Sequence, residues 1–184
     1  MTKLIPRLPQ EKLHPELEAF LRPRIERLGY LGEFFQCTAH QPEALLSFLE
    51  FTDHLKHALP NNLTEVVSLS VAQLMNNSYE RVQHERLSLK LGFGEKWVRE
   101  VLSLSANGNG ALSEQELLVQ QLVVAVIHRK GHDTTRELEA VVKSIGPAMT
   151  IAVLMLIGRY MSHAMIVNSL NLDAPVPSPL ESQP

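Results

Sequence analysis

LTEVVSLSVAQLMNNSYERVQH, residues 63–84, is the most informative stretch of this 184-residue chain. Within it, Glu65, Asn77, Glu80 and His84 follow the spacing Glu-x11-Asn-x2-Glu-x3-His. Residues three, four and seven positions apart share one face of a helix, so Asn77, Glu80 and His84 should lie together. If two helices pack antiparallel across the break at residues 76–77, Glu65 reaches His84 as well. The pattern predicts two carboxylates, an amide and an imidazole at the edge of an apolar core.

The composition is that of an ordinary globular protein. Apolar residues make up 45% of the chain and aromatic residues 5%, so the core must be built mainly from aliphatic side chains. The net charge is −3 and both signs are mixed along the chain, which argues against nucleic-acid binding and against a basic membrane-binding tract. We therefore expect no nucleic-acid partner and no membrane.

The expected compartment follows from three features. The single cysteine, Cys37, excludes a disulfide within one chain. The first ten residues lack the apolar segment of a secretory signal, and the most hydrophobic run, residues 148–158, is too short to cross a bilayer. We expect a soluble, cytoplasmic protein.

Helical periodicity dominates the chain, and alternating strand patterns are nearly absent. The sequence predicts a single all-α domain at residues 1–172, followed by an extended tail at 173–184. Within the domain we distinguish a core motif at about 42–105 and a second helical half at about 113–171. The predicted helices are 11–28 (interrupted by Pro15 and Pro23), 42–59, a helix capped by Asn62 or Thr64, 79–90, 95–104, 114–128, 136–143 and 147–170.

The intervening segments carry their own signals. Residues 29–37 are expected to form a short aromatic connector, and residues 107–110 the clearest linker. Ser113 and Glu116 have the spacing of a capping box at the start of the helix 114–128.

Glu65, Glu80 and His84 can carry acid–base chemistry. A carboxylate on one imidazole nitrogen fixes the tautomer and raises the basicity of the other nitrogen. A second carboxylate at an apolar rim would have a raised pKa and could act as an acid near neutral pH. The alternative is an ordinary Glu/His pair on a helix surface with an unrelated glutamate nearby. A metal site with these three ligands is the least favoured interpretation, because no fourth ligand is evident.

Two further side chains allow more than one interpretation. His163 lies in an apolar stretch of the last helix, where it is either a hydrogen-bonded core residue or a residue facing the pocket. Cys37 is either a reactive thiol or a small buried apolar residue, and no base lies near it in the sequence.

The segment 63–104 resembles the carboxymuconolactone decarboxylase and alkylhydroperoxidase D superfamily. Its peroxidase branch has Glu-x11-Cys-x2-Cys-x3-His, and in this chain Asn77 and Glu80 occupy the two cysteine positions. The decarboxylase-like branch has Tyr-Glu-aromatic-x-x-His, matched by Tyr79, Glu80 and His84, with Arg81 in place of the aromatic residue. The closing segment also resembles that branch at Gly158, Tyr160, Asn168 and Leu170. The resemblance extends over residues 42–175.

The resemblance implies an all-α bundle that assembles as a homo-oligomer, commonly a trimer or hexamer, without a cofactor or metal. It implies a lyase or related proton-transfer enzyme acting on a small carboxylated lactone or ring acid. His84 would be the general acid/base, oriented by Glu65, with Glu80 as a second acid/base or substrate-steering group at the pocket mouth. Tyr79 and Asn77 would bind the substrate.

One physical objection and two alternatives remain open. A substrate with two carboxylates needs positive charge nearby, and the Glu65, Glu80 and His84 cluster is net negative unless it holds protons; Arg81 or Arg86 could supply some of that charge. One alternative is a degenerate thiol-peroxidase relative acting through Cys37, although the two-cysteine mechanism is not expected. The other is a ligand-binding oligomer without catalysis.

Overall fold

The computed structural model describes residues 4–105, 107–108 and 110–181. Every regular element in these ranges is helical, which confirms the predicted all-α class. The elements are a 3-10 turn at Gln10–Lys12 and the helices α1 (Pro15–Leu28), α2 (Glu33–Thr38), α3 (Pro42–Ala58), α4 (Asn61–Leu74), α5 (Ser78–Lys90), α6 (Glu95–Ser103), α7 (Glu114–His128) and α8 (Thr135–Leu170).

Helix α4 is the central element of the bundle. Its residues 63–72 are all buried, so no face of the helix meets solvent over that length. A helix buried all round requires neighbours on every side, and α5, α6, α7 and α8 all pack against it. The side chains of α4, including Glu65, therefore point into a closed interior, and each polar one needs a partner there.

The break between α4 and α5 lies where the sequence predicts it. Asn76 has a left-handed backbone with φ of 50°, and Asn77 caps α5, since its Oδ1 accepts a hydrogen bond from the Glu80 backbone N–H at 3.2 Å. This tight turn lets α5 fold back along α4. The predicted capping box is also present at the start of α7, where Ser113 and Glu116 satisfy each other's backbone N–H groups.

Three sequence-based predictions about the elements are wrong. Residues 29–37 are not only a connector, because α2 forms within and beyond them and buries Phe34 and Cys37 on one face. Neither Asn62 nor Thr64 caps α4, which begins directly after Pro60. The Asn62 side chain instead donates a hydrogen bond to Glu116 Oε1 at 2.9 Å.

The third wrong prediction concerns the first helix, which the sequence places at residues 11–28. The structure separates a 3-10 turn from α1, which starts at Pro15. Proline lacks a backbone N–H, so it is favoured in the first turn of a helix and disfavoured further in. Pro15 therefore marks a helix start. Pro23 lies inside α1 without ending it.

Helix α8 contains the break that the sequence places at Gly146. Two helical segments join there across a glycine with φ of 78° and ψ of 166°, in place of the separate predicted helices 136–143 and 147–170. By length and composition α8 could cross a membrane, but core helices of globular proteins meet the same criterion, and α8 packs against α3, α4 and α7. Its exposed apolar side chains include Ile151, Met155 and Met165.

The segments outside the helices complete the structure. The predicted linker at residues 107–110 connects α6 to α7, and Asn109 lies outside the described residues. Residues 173–181 follow α8 without regular structure and lie against α5 and α6. There Ser178 Oγ donates to Glu85 Oε2 at 2.5 Å and Arg99 Nη2 donates to the Leu180 carbonyl at 3.0 Å.

The two glycines of α8 provide a test of the break. Gly146 has a backbone conformation that is essentially restricted to glycine, so Gly146→Ala should lower the free energy of unfolding by about 1–3 kcal/mol. Gly158 is helical, and a Cβ there meets no atom within 4 Å, so Gly158→Ala should be neutral or stabilising by up to about 1 kcal/mol. Urea unfolding of both variants measures this difference, and equal effects would contradict the assigned break.

Candidate active site

A buried carboxylate–imidazole pair forms the centre of the site. Glu65 on α4 and His84 on α5 are 2% and 4% exposed. His84 Nδ1 lies 2.8 Å from Glu65 Oε2, and Ser88 Oγ donates to the same oxygen at 3.1 Å. The contact predicted across the turn between the two helices is therefore present. Since Glu65 accepts from Nδ1–H, neutral His84 has its lone pair on Nε2.

The free side of His84 faces Tyr160 on α8. The Tyr160 hydroxyl lies 3.0 Å from His84 Nε2, and the two rings meet edge to face. Burial raises the pKa of Tyr160, so the hydroxyl stays protonated. Its O–H donates a hydrogen bond to the Nε2 lone pair. Glu65, His84 and Tyr160 thus form one hydrogen-bonded chain from the core to the cavity described below.

Glu80 forms the second part of the site, held between α5 and α8. Its Oε1 lies 3.1 Å from Arg159 Nη1 and 3.1 Å from His163 Nε2. Its Oε2 lies 3.6 Å from His84 Nε2. The carboxylate is 8% exposed, so one buried acid contacts an arginine and two histidines.

The surroundings of Glu80 decide its charge. Burial by itself raises the pKa of this carboxyl, but the protonated form of His163, the Arg159 guanidinium and the protonated form of His84 together more than offset that and hold the pKa well below its usual range. The sequence-based expectation of a raised pKa at Glu80, and of a position at the pocket mouth, is therefore wrong. Glu80 is an ionised carboxylate in the inner wall, and at neutral pH it cannot donate a proton.

His163 and Asn77 complete the network around Glu80. Burial lowers the pKa of His163 to about 4, against the opposing effect of Glu80, so the ring is neutral at pH 7. Its Nε2 lies beside Glu80 Oε1, and its Nδ1 lies 3.4 Å from Asn77 Nδ2. Asn77 is 1% exposed. Its amide oxygen caps α5 and its amide nitrogen contacts His163, so both polar atoms of the side chain are already engaged. Asn77, predicted to bind substrate, therefore reaches a ligand only through His163.

Tyr79 also lines the cavity. Burial raises its pKa, which keeps the hydroxyl neutral and able to donate a hydrogen bond. The hydroxyl approaches the backbone at Gly32, where an added Cβ would lie 2.2 Å from the phenolic oxygen. Glycine at position 32 is thus required by the position of Tyr79.

These groups meet in a cavity of about 630 Å³, within the range of small-molecule sites. Its walls come from α1, α2, α3, α5 and α8, and two residues of the tail, Val176 and Pro179, close part of the rim. The site residues that line it are Tyr79, Glu80, His84, Arg159, Tyr160 and His163. Glu65 lies behind His84.

The cavity is basic. Its lining includes one acid, Glu80, and these cations: Arg24, Arg27, Lys56, Arg86, Lys90 and Arg159. Of the two arginines suggested by the sequence, Arg86 is in this set, whereas Arg81 is engaged in ion pairs with Glu85 and Glu181. The positive charge that an anionic substrate requires is therefore present, although most of it comes from residues that sequence analysis did not select.

The thiol interpretation finds no support in this site. Cys37 is buried and lines a different cavity, together with Met165 and Ile166. Among the described residues, no group of three or more His, Cys, Asp or Glu side chains is arranged to hold a metal ion.

Sequence analysis missed Arg159 as a site residue. Arg159 is the only charged residue in the apolar stretch 148–167. A charged side chain in a buried helix face is expected to have a charged partner. The position of Arg159 among apolar residues therefore indicated a buried ion pair. The sequence could not identify the partner, because Glu80 lies 79 residues away.

Comparisons with known proteins fit this architecture. No protein-family model matches the chain, and no curated protein sequence matches it. Solved structures do: the alkylhydroperoxidase AhpD core of an uncharacterised peroxidase-related protein from Ralstonia eutropha JMP134 is 12% identical with a TM-score of 0.80, over 92% of this chain and 90% of that one. The chain has the alkylhydroperoxidase D-like fold.

Two other structures share the alkylhydroperoxidase D-like fold with this chain. One is a cysteine-to-alanine variant of the debrominase Bmp8 in complex with 2,3,4-tribromopyrrole, 12% identical with a TM-score of 0.82, over 96% of this chain and 94% of that one. The other is an uncharacterised peroxidase-related protein from Silicibacter sp. TM1040, 13% identical with a TM-score of 0.76, over 94% and 92%. At these identities the likeness establishes the fold.

The stability of this alkylhydroperoxidase D-like chain should depend on pH through His163. Its pKa is about 4 in the folded protein and 6.5 ordinarily, so between these values the unfolded chain binds the extra proton. The free energy of unfolding should therefore fall as the pH drops from about 6.5 to 4, by roughly 2–3 kcal/mol. Denaturant unfolding across this range measures it. In His163→Gln the fall should be smaller, and an unchanged slope would exclude His163 as its source.

Proposed function

We propose that the chain is a cofactor-free acid–base enzyme, of the lyase or proton-transfer type, acting on a small carboxylated lactone or ring acid. The observation that carries this proposal is the buried Glu65–His84 pair, whose Nε2 side opens through Tyr160 onto a basic cavity. A purely structural histidine does not need a carboxylate behind it and a ligand-sized cavity in front of it.

The chemistry assigned to His84 is proton transfer at carbon. In a decarboxylation, the bond between the ring carbon and the carboxylate breaks, carbon dioxide leaves, and the electron pair is delocalised into the lactone carbonyl. Protonated His84 then delivers a proton from Nε2 to that carbon and regains one from solvent. The Glu65 carboxylate stabilises the imidazolium that delivers the proton. Tyr160 must release Nε2 when substrate binds.

The other residues have supporting roles in this proposal. Glu80 is ionised and therefore positions Arg159, His163 and His84 instead of donating a proton. Tyr79 can donate a hydrogen bond to a carbonyl or carboxylate oxygen of the substrate. The size of the cavity suits a single ring with its substituents, and the debrominase structure of the same fold holds a small ring compound.

A thiol-peroxidase function is less well supported. A dithiol peroxidase needs a thiolate and a resolving thiol, and the chain has a single cysteine. Cys37 lines a cavity other than the one that His84 lines. Peroxide turnover through Cys37 would thus leave the Glu65–His84 pair without a role.

The proposal predicts loss of turnover in His84→Gln. Removing the acid–base group should lower kcat by at least about 100-fold, because general acid–base catalysis contributes factors of that order. The assay follows carbon dioxide release and ultraviolet absorbance for a panel of lactones and ring acids bearing one or two carboxylates. Glu65→Gln should lower kcat as well, since it removes the charge behind His84.

The matched control is His132→Gln, because His132 is exposed and lies outside the cavity lining. This variant should retain full turnover. Equal turnover in His84→Gln and the unmodified protein would refute the proposed chemistry. If no compound of the panel is turned over while carboxylates still bind, the chain is instead a ligand-binding protein without this activity.

We also propose that the chain assembles with copies of itself, as a trimer or hexamer. The exposed apolar side chains Ile151, Met155 and Met165 of α8 agree with burial in an assembly. Light scattering coupled to size-exclusion chromatography measures the mass, and a monomer at micromolar concentration would contradict the proposal.

A further inference from the structure

Arg159 is fixed in the cavity wall with part of its guanidinium unused. Its Nε donates to Thr52 Oγ1 at 2.9 Å, and its Nη1 donates to Glu80 Oε1 at 3.1 Å. No described residue accepts a hydrogen bond from Nη2. The side chain is 8% exposed and lines the cavity, so this unused donor is available to a ligand that enters the cavity.

Aromatic rings hold the guanidinium in place. Its carbon lies 4.3 Å from the centre of the Tyr160 ring and 4.9 Å from the centre of the Phe48 ring. Contacts with aromatic rings hold the planar guanidinium of an arginine more firmly than they would hold the flexible ammonium group of a lysine. The donor is therefore oriented before any ligand arrives, which lowers the entropic cost of binding.

Two other cations act on the same region. Arg24 interacts electrostatically with both Arg159 and Glu80. Lys56 interacts electrostatically with both Glu80 and Tyr160. Arg24 has only a loose ion pair, with its Nη2 3.8 Å from Asp53 Oδ1. Arg24, Lys56 and Arg159 thus all line the cavity whose one lining acid is Glu80, and the excess charge of that lining is positive.

We propose that Arg24, Lys56 and Arg159 form a binding subsite for the carboxylate of a small organic acid. Arg159 Nη2 donates the central hydrogen bond, and Arg24 and Lys56 contribute charge. The same subsite would hold the acid whether or not the protein turns it over. The inference refines the substrate class of the proposed function without depending on its chemistry.

The subsite lies next to the acid–base pair. Glu80 contacts Arg159 through one oxygen and His84 through the other. An acid held by Arg159 therefore has its remaining atoms within reach of the Tyr160 hydroxyl and of His84 Nε2. A ring bearing the carboxylate would present its neighbouring carbon to His84, which the proposed proton transfer requires.

The test compares acids with their neutral amides. Isothermal titration calorimetry at pH 7 and low salt would measure binding of acetate, benzoate and phthalate against acetamide, benzamide and phthalamide. We expect at least one acid to bind about 10–100-fold more tightly than its amide, the range expected for a charge-assisted hydrogen bond. Equal affinity within all three pairs would overturn the inference.

The variants separate Arg159 from Glu80. Glu80→Gln removes the competing carboxylate and should tighten binding of the acid. The double variant Glu80→Gln with Arg159→Met has no buried unpaired charge, and its preference for acid over amide should be about 10-fold smaller than that of Glu80→Gln, because Arg24 and Lys56 remain. Arg136→Met is the control for loss of a positive charge, since Arg136 is exposed on α8 outside the cavity. It should keep the preference.

An undiminished preference in the double variant relative to Glu80→Gln, or loss of the preference in Glu80→Gln or in Arg136→Met, would contradict the assignment. Circular dichroism melting of each variant establishes that it is folded. His84→Gln distinguishes this inference from the proposed function, because it should lose turnover and keep the preference for acids. If the protein turns over a lactone but binds acids no more tightly than their amides, the subsite is refuted and the proposed function is not.

Discussion

Arg159 and Glu80 form a buried ion pair that joins α8 to α5, and the candidate site depends on it. Each of these charges would be costly in the interior without the other. Together they fix the distance between two helices that contribute His84, Tyr160 and His163. The pair also helps to keep Glu80 ionised, because the guanidinium is one of the charges, with those of His163 and His84, that together outweigh the effect of burial on the pKa of Glu80.

This constraint organises two kinds of polar chemistry within one cavity. On one side, Glu65, His84 and Tyr160 form a hydrogen-bonded chain in which protons can move. On the other side, Glu80 holds an arginine, and the lining cations leave an excess of positive charge. The first part suits proton transfer and the second suits an anion. An acid–base enzyme for small carboxylates needs both, and neither requires a thiol.

The objection raised by the sequence is resolved by the same interaction. The residues of the motif 63–84 are net negative, so by themselves they should repel an acid. Arg24 and Lys56 come from α1 and α3, and Arg159 comes from α8. Their charges reach the motif only because α1, α3 and α8 line the same cavity as α5. The basic character belongs to the assembled cavity and to no single segment.

Local sequence determined the helices and the Glu65–His84 contact. Helical periodicity, proline positions, the capping box and the glycine break all act within a few residues, and α4 and α5 are adjacent across one turn, so spacing is sufficient. Short-range signals did not predict α2. This helix is short, and it is stabilised by its burial against other helices. Only the tertiary structure decided the charge state of Glu80 and the roles of Arg159 and His163. Those properties arise from side chains about 80 residues apart, whose proximity and desolvation depend on how the helices pack.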